Sequence, residues 1–249
     1  MYKNNGKKIV ATIEARMTST RLPGKVLLPL AGKPALGQMV KRVKKAKYLD
    51  EIVIATTINK TDESIVELAR QIGVKFFRGS EEDVLGRVLG AAQSVGADII
   101  VELTGDCPLM DPGLIDRGIE EFFSGNFDCA ANVIRRSFPD GFDVQVFPVL
   151  LLAQIDKLSN DPLDREHVSY YIYRNEGKYR INHWLSEDEY YWPELRVTLD
   201  EKDDYILLNN IFKKLMPVNE NFNYMDVINF LRKNPELLEI NKNAKAKQI

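Results

Sequence analysis

Lys8-Ile9-Val10-Ala11-Thr12-Ile13 reads as a buried strand, and the residues after it, Ala15-Arg16-Met17-Thr18-Ser19-Thr20-Arg21-Leu22-Pro23-Gly24-Lys25, read as a long polar loop. Working outward, Leu36, Met39, Val40 and Val43 fall at i, i+3, i+4, i+7 and mark an amphipathic helix before a second strand, Glu51 to Thr57. The pattern repeats. Ile65, Leu68, Ala69 and Ile72 form a stripe behind an expected Asp62 N-cap, and Val74 to Phe77 is a short strand. Val84, Leu85, Val88, Leu89, Ala92 and Val95 form the next stripe, and Ile99 to Leu103 the next strand. Strands alternating with helices of this length imply right-handed crossovers and a mainly parallel α/β sheet covered on both faces. Ligands of such sheets bind at the carboxyl ends of the strands. That singles out residues 14–35 and the loop beginning Thr104-Gly105-Asp106-Cys107-Pro108.

Beyond about residue 125 the period changes. Asp128 to Val133 and Asp143 to Phe147 read as strands around the turn Phe138-Pro139-Asp140-Gly141, and Ile181 to Leu185 and Leu195 to Leu199 as two more. A helix is expected at Arg165 to Arg174, and another at the stripe Tyr205, Leu208, Ile211, Phe212, Leu215. The layout this implies is one domain over residues 1–240, with a partly antiparallel lobe inserted at 126–194 and a frayed tail at 241–249.

With 249 residues, 45% of them hydrophobic, low-complexity disorder and a mini-protein are excluded. Two cysteines, Cys107 and Cys129, behind a polar N-terminal segment point to a reduced, cytoplasmic protein. The apolar run Val146 to Ala153 is far too short to span a membrane. Two histidines, His167 and His183, and no CxxC argue against zinc. The net charge of −2 hides an uneven distribution, because residues 1–50 carry 12 Lys/Arg against 2 Asp/Glu. A compact polyanion is the partner such a segment suits.

The loop at 15–25 offers backbone N–H groups, hydroxyls and three cations, Arg16, Arg21 and Lys25, at a strand end, which suits a polyphosphate. It is not a Walker A loop, and GxGxxG and GxSxG motifs are missing. Asp106 and Asp200 each follow an expected strand, and parallel strands would bring both to one rim. Alone, Asp106 reads equally as a turn residue before Pro108 and Asp200 as a helix cap. Opposite three cations they make a metal-and-phosphate constellation, with Mg²⁺ held by one or two carboxylates and its shell completed by phosphates and water.

Ala15-Arg16-x-x-Ser19-x-Arg21-Leu22-Pro23-Gly24-Lys25 closely resembles the opening motif of the CTP-dependent sugar-acid cytidylyltransferases, the family of CMP-Kdo synthetase. Leu103 to Leu109 resembles that family's second motif and Leu195 to Asp200 its last. Pro139 to Val144 and Arg165-Glu166-His167-Val168 are similar to its spore-coat polysaccharide branch, and the likeness spans roughly residues 8–215. The resemblance implies a Rossmann-like (GT-A-like) nucleotidyltransferase fold, a homodimer, and Mg²⁺-dependent transfer of CMP from CTP to a sugar, most naturally a sugar acid, for cell-surface polysaccharide synthesis. Carried onto this sequence, Arg21, Lys25, Asp106 and Asp200 become catalytic, with both aspartates on the metal. Ala15, Arg16, Ser19, Gly79, Ser80, Asp83 and Arg87 join Arg21 and Lys25 around the nucleotide. Asp143, Gln145, Arg165, Glu166 and His167 face the acceptor.

Two departures stand out. Gln145 takes the place where the spore-coat branch often carries Glu, and the Thr-Pro usual after the metal aspartate is missing behind Asp200. Trp184, Tyr190, Tyr191 and Trp192 read either as a sugar-stacking wall or as a core or dimer patch. A glycosyltransferase consuming a nucleotide sugar is the competing enzyme, but Thr104 to Pro108 supplies one Asp and no Asp-x-Asp pair. A nucleic-acid partner is disfavoured because the basic loop interleaves no aromatics.

Overall fold

In the computed structural model, which describes residues 6–244, the first strand is β1 (Ile9–Glu14). A two-residue hairpin, β2 (Pro29–Leu30) and β3 (Lys33–Pro34), precedes helix α1 (Ala35–Val43). Then come β4 (Glu51–Thr57), α2 (Glu63–Gln71), β5 (Lys75–Gly79), α3 (Val84–Ser94), β6 (Ile99–Thr104) and α4 (Pro112–Phe123). The second half holds β7 (Cys129–Ala131), β8 (Gln145–Pro148), α5 (Val149–Leu158), α6 (Pro162–Glu166), α7 (Tyr170–Arg174), β9 (Ile181–His183), α8 (Lys202–Leu215) and α9 (Tyr224–Lys233).

Seven strands form one sheet in the order β5-β4-β1-β6-β8-β7-β9. The first four are parallel, and β8 runs antiparallel to both β6 and β7. β1 is apolar along its length because both of its faces are covered. Ile9, Ala11 and Ile13 pack in one core with Leu36, Ile115, Leu208 and Val227, while Val10 joins Val53, Ile100, Val88 and Leu152 on the other face. Register then places Glu14 opposite both Ala55 and Thr104, so the strand ends, and the loops behind them, share one rim.

Several expectations need correcting. Leu195 to Leu199 is no strand: Val197 N donates to Asp140 O at 2.8 Å and Leu199 N to Asp106 O at 2.8 Å, so the segment stitches two loops and lacks a continuous partner. The helix expected at Arg165 to Arg174 is two helices, α6 and α7, because His167 leaves helical geometry at φ −113°, ψ 70°. The apolar run from Val146 divides between the end of β8 and α5. Asp62 does not cap α2 with its side chain. Helix α4 was unmarked by the stripes above, although Asp111 caps it, accepting from Gly113 N at 2.6 Å, and Pro112 opens it. Of the expected tail, residues 245–249 lie outside those described, and Asn241 at its start is tied to Asp204 Oδ1 at 2.9 Å. Among the described residues no helix is long and apolar enough to cross a membrane.

Candidate active site

The loop after β1 is fixed at both ends. Met17 N donates to Asp62 Oδ1 at 2.9 Å, and the other oxygen of this fully buried carboxylate accepts from Thr56 Oγ1, Thr57 N and Thr57 Oγ1. Gly24 closes the loop, donating to Met17 O at 2.9 Å, from a left-handed φ of +72° that disfavours any side chain. The next residue, Lys25, is thereby turned inward. Its Nζ lies 2.7 Å from Asp106 Oδ2, just past β6, and 2.7 Å from Asp200 Oδ1, just before α8. Residues from three remote parts of the chain thus meet at one ammonium.

Asp200 is held further by Arg21 at 2.8 Å and by Arg196 at 2.6 Å, and Arg196 also reaches the buried Asp204 at 3.2 Å. Burial pushes the Asp200 carboxyl up, but Lys25, Arg21 and Arg196 outweigh it and hold it below its ordinary value. Burial likewise works against the Lys25 charge, and the two aspartates overcome it, so that its pKa is raised. Lys25 and Asp200 are therefore both ionised at neutral pH.

Above them opens a cavity of about 420 Å³, lined by Ala15, Arg16, Ser19, Arg21, Lys25, Arg87, Asp106 and Asp200 among the expected residues. Glu166 and His167 reach it too. Gly79, Ser80 and Asp83 do not line it. Gly79 and Ser80 instead seat Arg87, since a Cβ on Gly79 would meet Arg87 Cγ at 3.0 Å and the guanidinium donates to Ser80 O and to Glu81 O at 3.2 Å. Asp83 caps α3 and pairs with Arg165, whose Nε donates to Oδ1 at 2.8 Å and whose Nη2 also reaches Asp156 at 2.9 Å. Both line an adjoining space of about 640 Å³ that also touches Arg16.

A third cavity, about 290 Å³, lies beside the first, under β6 and β8. Asp143, Gln145, Glu166 and His167 meet here as expected residues, and Arg165 does not reach it. Glu14, Thr104, Glu166 and His167 line both cavities, so the two are continuous. Gln145 Nε2 donates to Glu102, its register partner across β6 and β8, and Asp143 is gripped by both ends of Arg136 at 3.0 and 3.1 Å. Burial raises Glu14 from 4.5 to about 7 against the opposing Arg87, and burial with Glu14, Asp143 and Asp106 nearby lifts Glu102 well above its ordinary range.

Three site residues escaped the sequence reading. Arg196 stands four residues before Asp200, Glu14 closes β1, and Glu102 is a carboxylate in the middle of a buried strand, which is itself a signal. Of the aromatic group, Trp184 is buried and meets Phe138 at 5.1 Å between ring centroids, Tyr190 meets Tyr224 at 5.8 Å and Trp192 packs against the core, while Tyr191 is exposed. None of the four lines the three cavities.

The donor set fits a hard divalent cation. Asp106 and Asp200 converge on a single point, now taken by the Lys25 ammonium, and among the described residues no group of three or more His, Cys, Asp or Glu forms a metal cage. Two carboxylates leave most of an octahedral shell to phosphates and water, the usual arrangement for Mg²⁺ with a nucleotide.

Residues 10–243 match the family model described as Cytidylyltransferase. The chain is 39% identical over 243 residues to an uncharacterized protein of Methanocaldococcus jannaschii, covering 96% of this chain and 97% of the other. It is 33% identical over 233 residues to the spore coat polysaccharide biosynthesis protein SpsF of Bacillus subtilis, covering 92% and 95%. Its fold is similar to the solved structure of a cytidylyltransferase from Leptospira borgpetersenii, with a TM-score of 0.89, 34% identity, and 97% and 100% of the two chains covered.

Proposed function

Since the chain belongs to the cytidylyltransferase family, we propose that it transfers CMP from CTP to a hydroxyl of a small sugar-like acceptor and releases pyrophosphate. The observation that carries this reading is Lys25 Nζ at 2.7 Å from both Asp106 and Asp200, on the floor of a cavity walled by Arg16 and Arg21. In the reaction an acceptor oxygen bonds to the α-phosphorus as the bond from that phosphorus to the β-phosphate bridge breaks. No covalent enzyme intermediate is required, so positioning and charge neutralisation carry the catalysis.

Each part of the site has a task in that chemistry. Arg16 and Arg21 approach the polyphosphate from the loop, whose shape is set by Asp62 and Gly24. Lys25 donates where charge builds on the departing pyrophosphate. Asp106 and Asp200 would hold Mg²⁺, which neutralises phosphate charge and polarises the α-phosphoryl group when bound. Arg196 and Arg21 fix the rotamer of Asp200, while the backbone of Asp106 is held by Leu199 N at 2.8 Å. In this reading the acceptor would enter the smaller cavity, which shares Glu14, Thr104, Glu166 and His167 with the first. Similarity to SpsF supports a role in supplying an activated sugar to a cell-surface polysaccharide.

The test is turnover. Incubated with Mg²⁺ and a pool of small metabolites, the protein should release pyrophosphate from CTP and not from ATP, GTP or UTP. Acceptor-dependent cleavage of a nucleotide sugar, with CTP left intact, would replace the proposal with a glycosyltransferase.

A further inference from the structure

The two oxygens of Asp200 are held by different parts of the chain, and one set of partners reaches almost to the C-terminus. Oδ1 faces the cations of the nucleotide cavity, 2.7 Å from Lys25 Nζ and 2.8 Å from Arg21. Oδ2 accepts from Arg196 Nη2 at 2.6 Å. Arg196 is itself braced: its Nε donates to Thr198 Oγ1 at 2.9 Å, and its Nη2 also reaches Asp204 Oδ2 at 3.2 Å. One guanidinium thus ties Asp200 to a second carboxylate.

Asp204 is the centre of this arrangement. It is fully buried, and a buried carboxylate is tolerated only where donors surround it. Besides Arg196, Oδ2 accepts from the backbone N–H groups of Asp200 at 3.1 Å and Glu201 at 2.9 Å. Oδ1 accepts from Asn241 Nδ2 at 2.9 Å, and the same amide lies 3.3 Å from the backbone oxygen of Arg196. The circle closes. Asn241 holds Arg196 by its main chain and Asp204 by its side chain, and these two hold Asp200 by its carboxylate and its backbone N–H. In the sequence Asn241 merely opens the lysine- and asparagine-rich stretch that reads as a frayed tail.

We infer, on the reading of Asp200 as a metal ligand given above, that Asn241 is a positioning residue for the active site: acting through Asp204 and Arg196, it keeps Asp200 Oδ1 turned toward the nucleotide cavity. Without the Asn241 amide, a buried carboxylate oxygen gives up a hydrogen bond and the Arg196 carbonyl another, so both groups behind Asp200 gain freedom to turn. Partners that orient a ligating carboxylate are commonly worth about 10–100-fold in metal affinity. Asn241 stands one contact further back, which places its effect at the lower end.

Mn²⁺ serves as the probe. Titrated into the full chain with saturating CTP and no acceptor, it is read by the enhancement of water-proton relaxation, which reports both its affinity and the number of ions bound per chain. Asn241→Leu keeps most of the volume and removes the donor, and Asn241→Ala removes it without adding apolar bulk. Each should bind Mn²⁺ about tenfold more weakly than the wild type, with the number per chain unchanged. Lys242→Ala, next along the chain and paired with Glu239, should match the wild type. A purely structural role would show as fewer binding chains at wild-type affinity, and that result overturns the inference. So does wild-type affinity in Asn241→Ala, or an equal loss in Lys242→Ala. If the wild-type chain gives no enhancement with CTP, the proposed function fails and the inference with it; a failure confined to the variants leaves that function standing.

Discussion

The site contains two groups of carboxylates held in opposite ways within one continuous space. At the rim, Asp200 is buried yet stays ionised because Lys25, Arg21 and Arg196 surround it. Next door, burial raises Glu14 to about 7 despite Arg87, Arg16 and Lys25, and burial together with Glu14, Asp143 and Asp106 lifts Glu102 well above its ordinary range. The same functional group is thus held charged in one place and driven toward its neutral form in the other. What separates them is how closely the cations approach: Lys25, Arg21 and Arg196 lie 2.6–2.8 Å from Asp200, whereas Arg87 stands 4.0 Å from Glu14.

The comparison breaks most decisively at the rim. Asp106→Ala should reduce CTP turnover to background with the fold intact, since among the described residues it removes one of the two carboxylates that converge on Lys25. Near-normal pyrophosphate release by that variant would take Asp106 out of the mechanism. Lys25→Ala comes next, with an expected loss of about 10²–10³ in kcat, the usual consequence of removing one donor to developing charge. A loss of only about twofold would mean that the loop has been misread.

In the acidic cavity the smaller effect is on stability, and its sign is opposite. A carboxyl raised from 4.5 to about 7 binds its proton more tightly in the folded state, so Glu14 costs stability progressively as pH rises between those values. Glu14→Gln should therefore raise the stability of the ligand-free protein above pH 7, by about 1–3 kcal/mol, and leave it nearly unchanged below pH 4.5. Denaturant melts at the two ends of that window read the difference. Asp200 behaves in reverse: with its pKa depressed, its contribution is present above its ordinary value of 3.8 and is lost as pH falls through its folded value. The mildest expectation concerns Arg165→Lys, which loosens the pairs with Asp83 and Asp156 outside both cavities. It should cost no more than about 1 kcal/mol and leave kcat for CTP within about twofold.

How much of this was legible in the sequence follows from what each signal measures. Periodicity found β1, β4 and β6, which are buried on both faces and so carry continuous apolar runs. It failed at residues 195–199, where the same apolar pattern comes from a segment wedged between two loops, without a ladder. The loop at 15–25 was readable as a candidate site because its chemistry is local, eleven residues holding three cations and the Gly24 turn. Asp106 and Asp200 are nominated by their places after expected strands and by the motif resemblance; their convergence on Lys25 is a property of the topology. The resemblance puts Arg165 at the acceptor, where an arginine could grip a carboxylate with both ends. Its commitment to Asp83, on another helix, is invisible without coordinates.

The most direct test of the account is calorimetric titration of CTP, UTP, ATP and GTP in the presence of Mg²⁺, since it requires no acceptor. The account predicts selective, Mg²⁺-dependent binding of CTP by the wild-type chain and markedly weaker binding by Asp106→Ala. Binding of no triphosphate, or CTP binding that ignores both Mg²⁺ and the loss of Asp106, would contradict it.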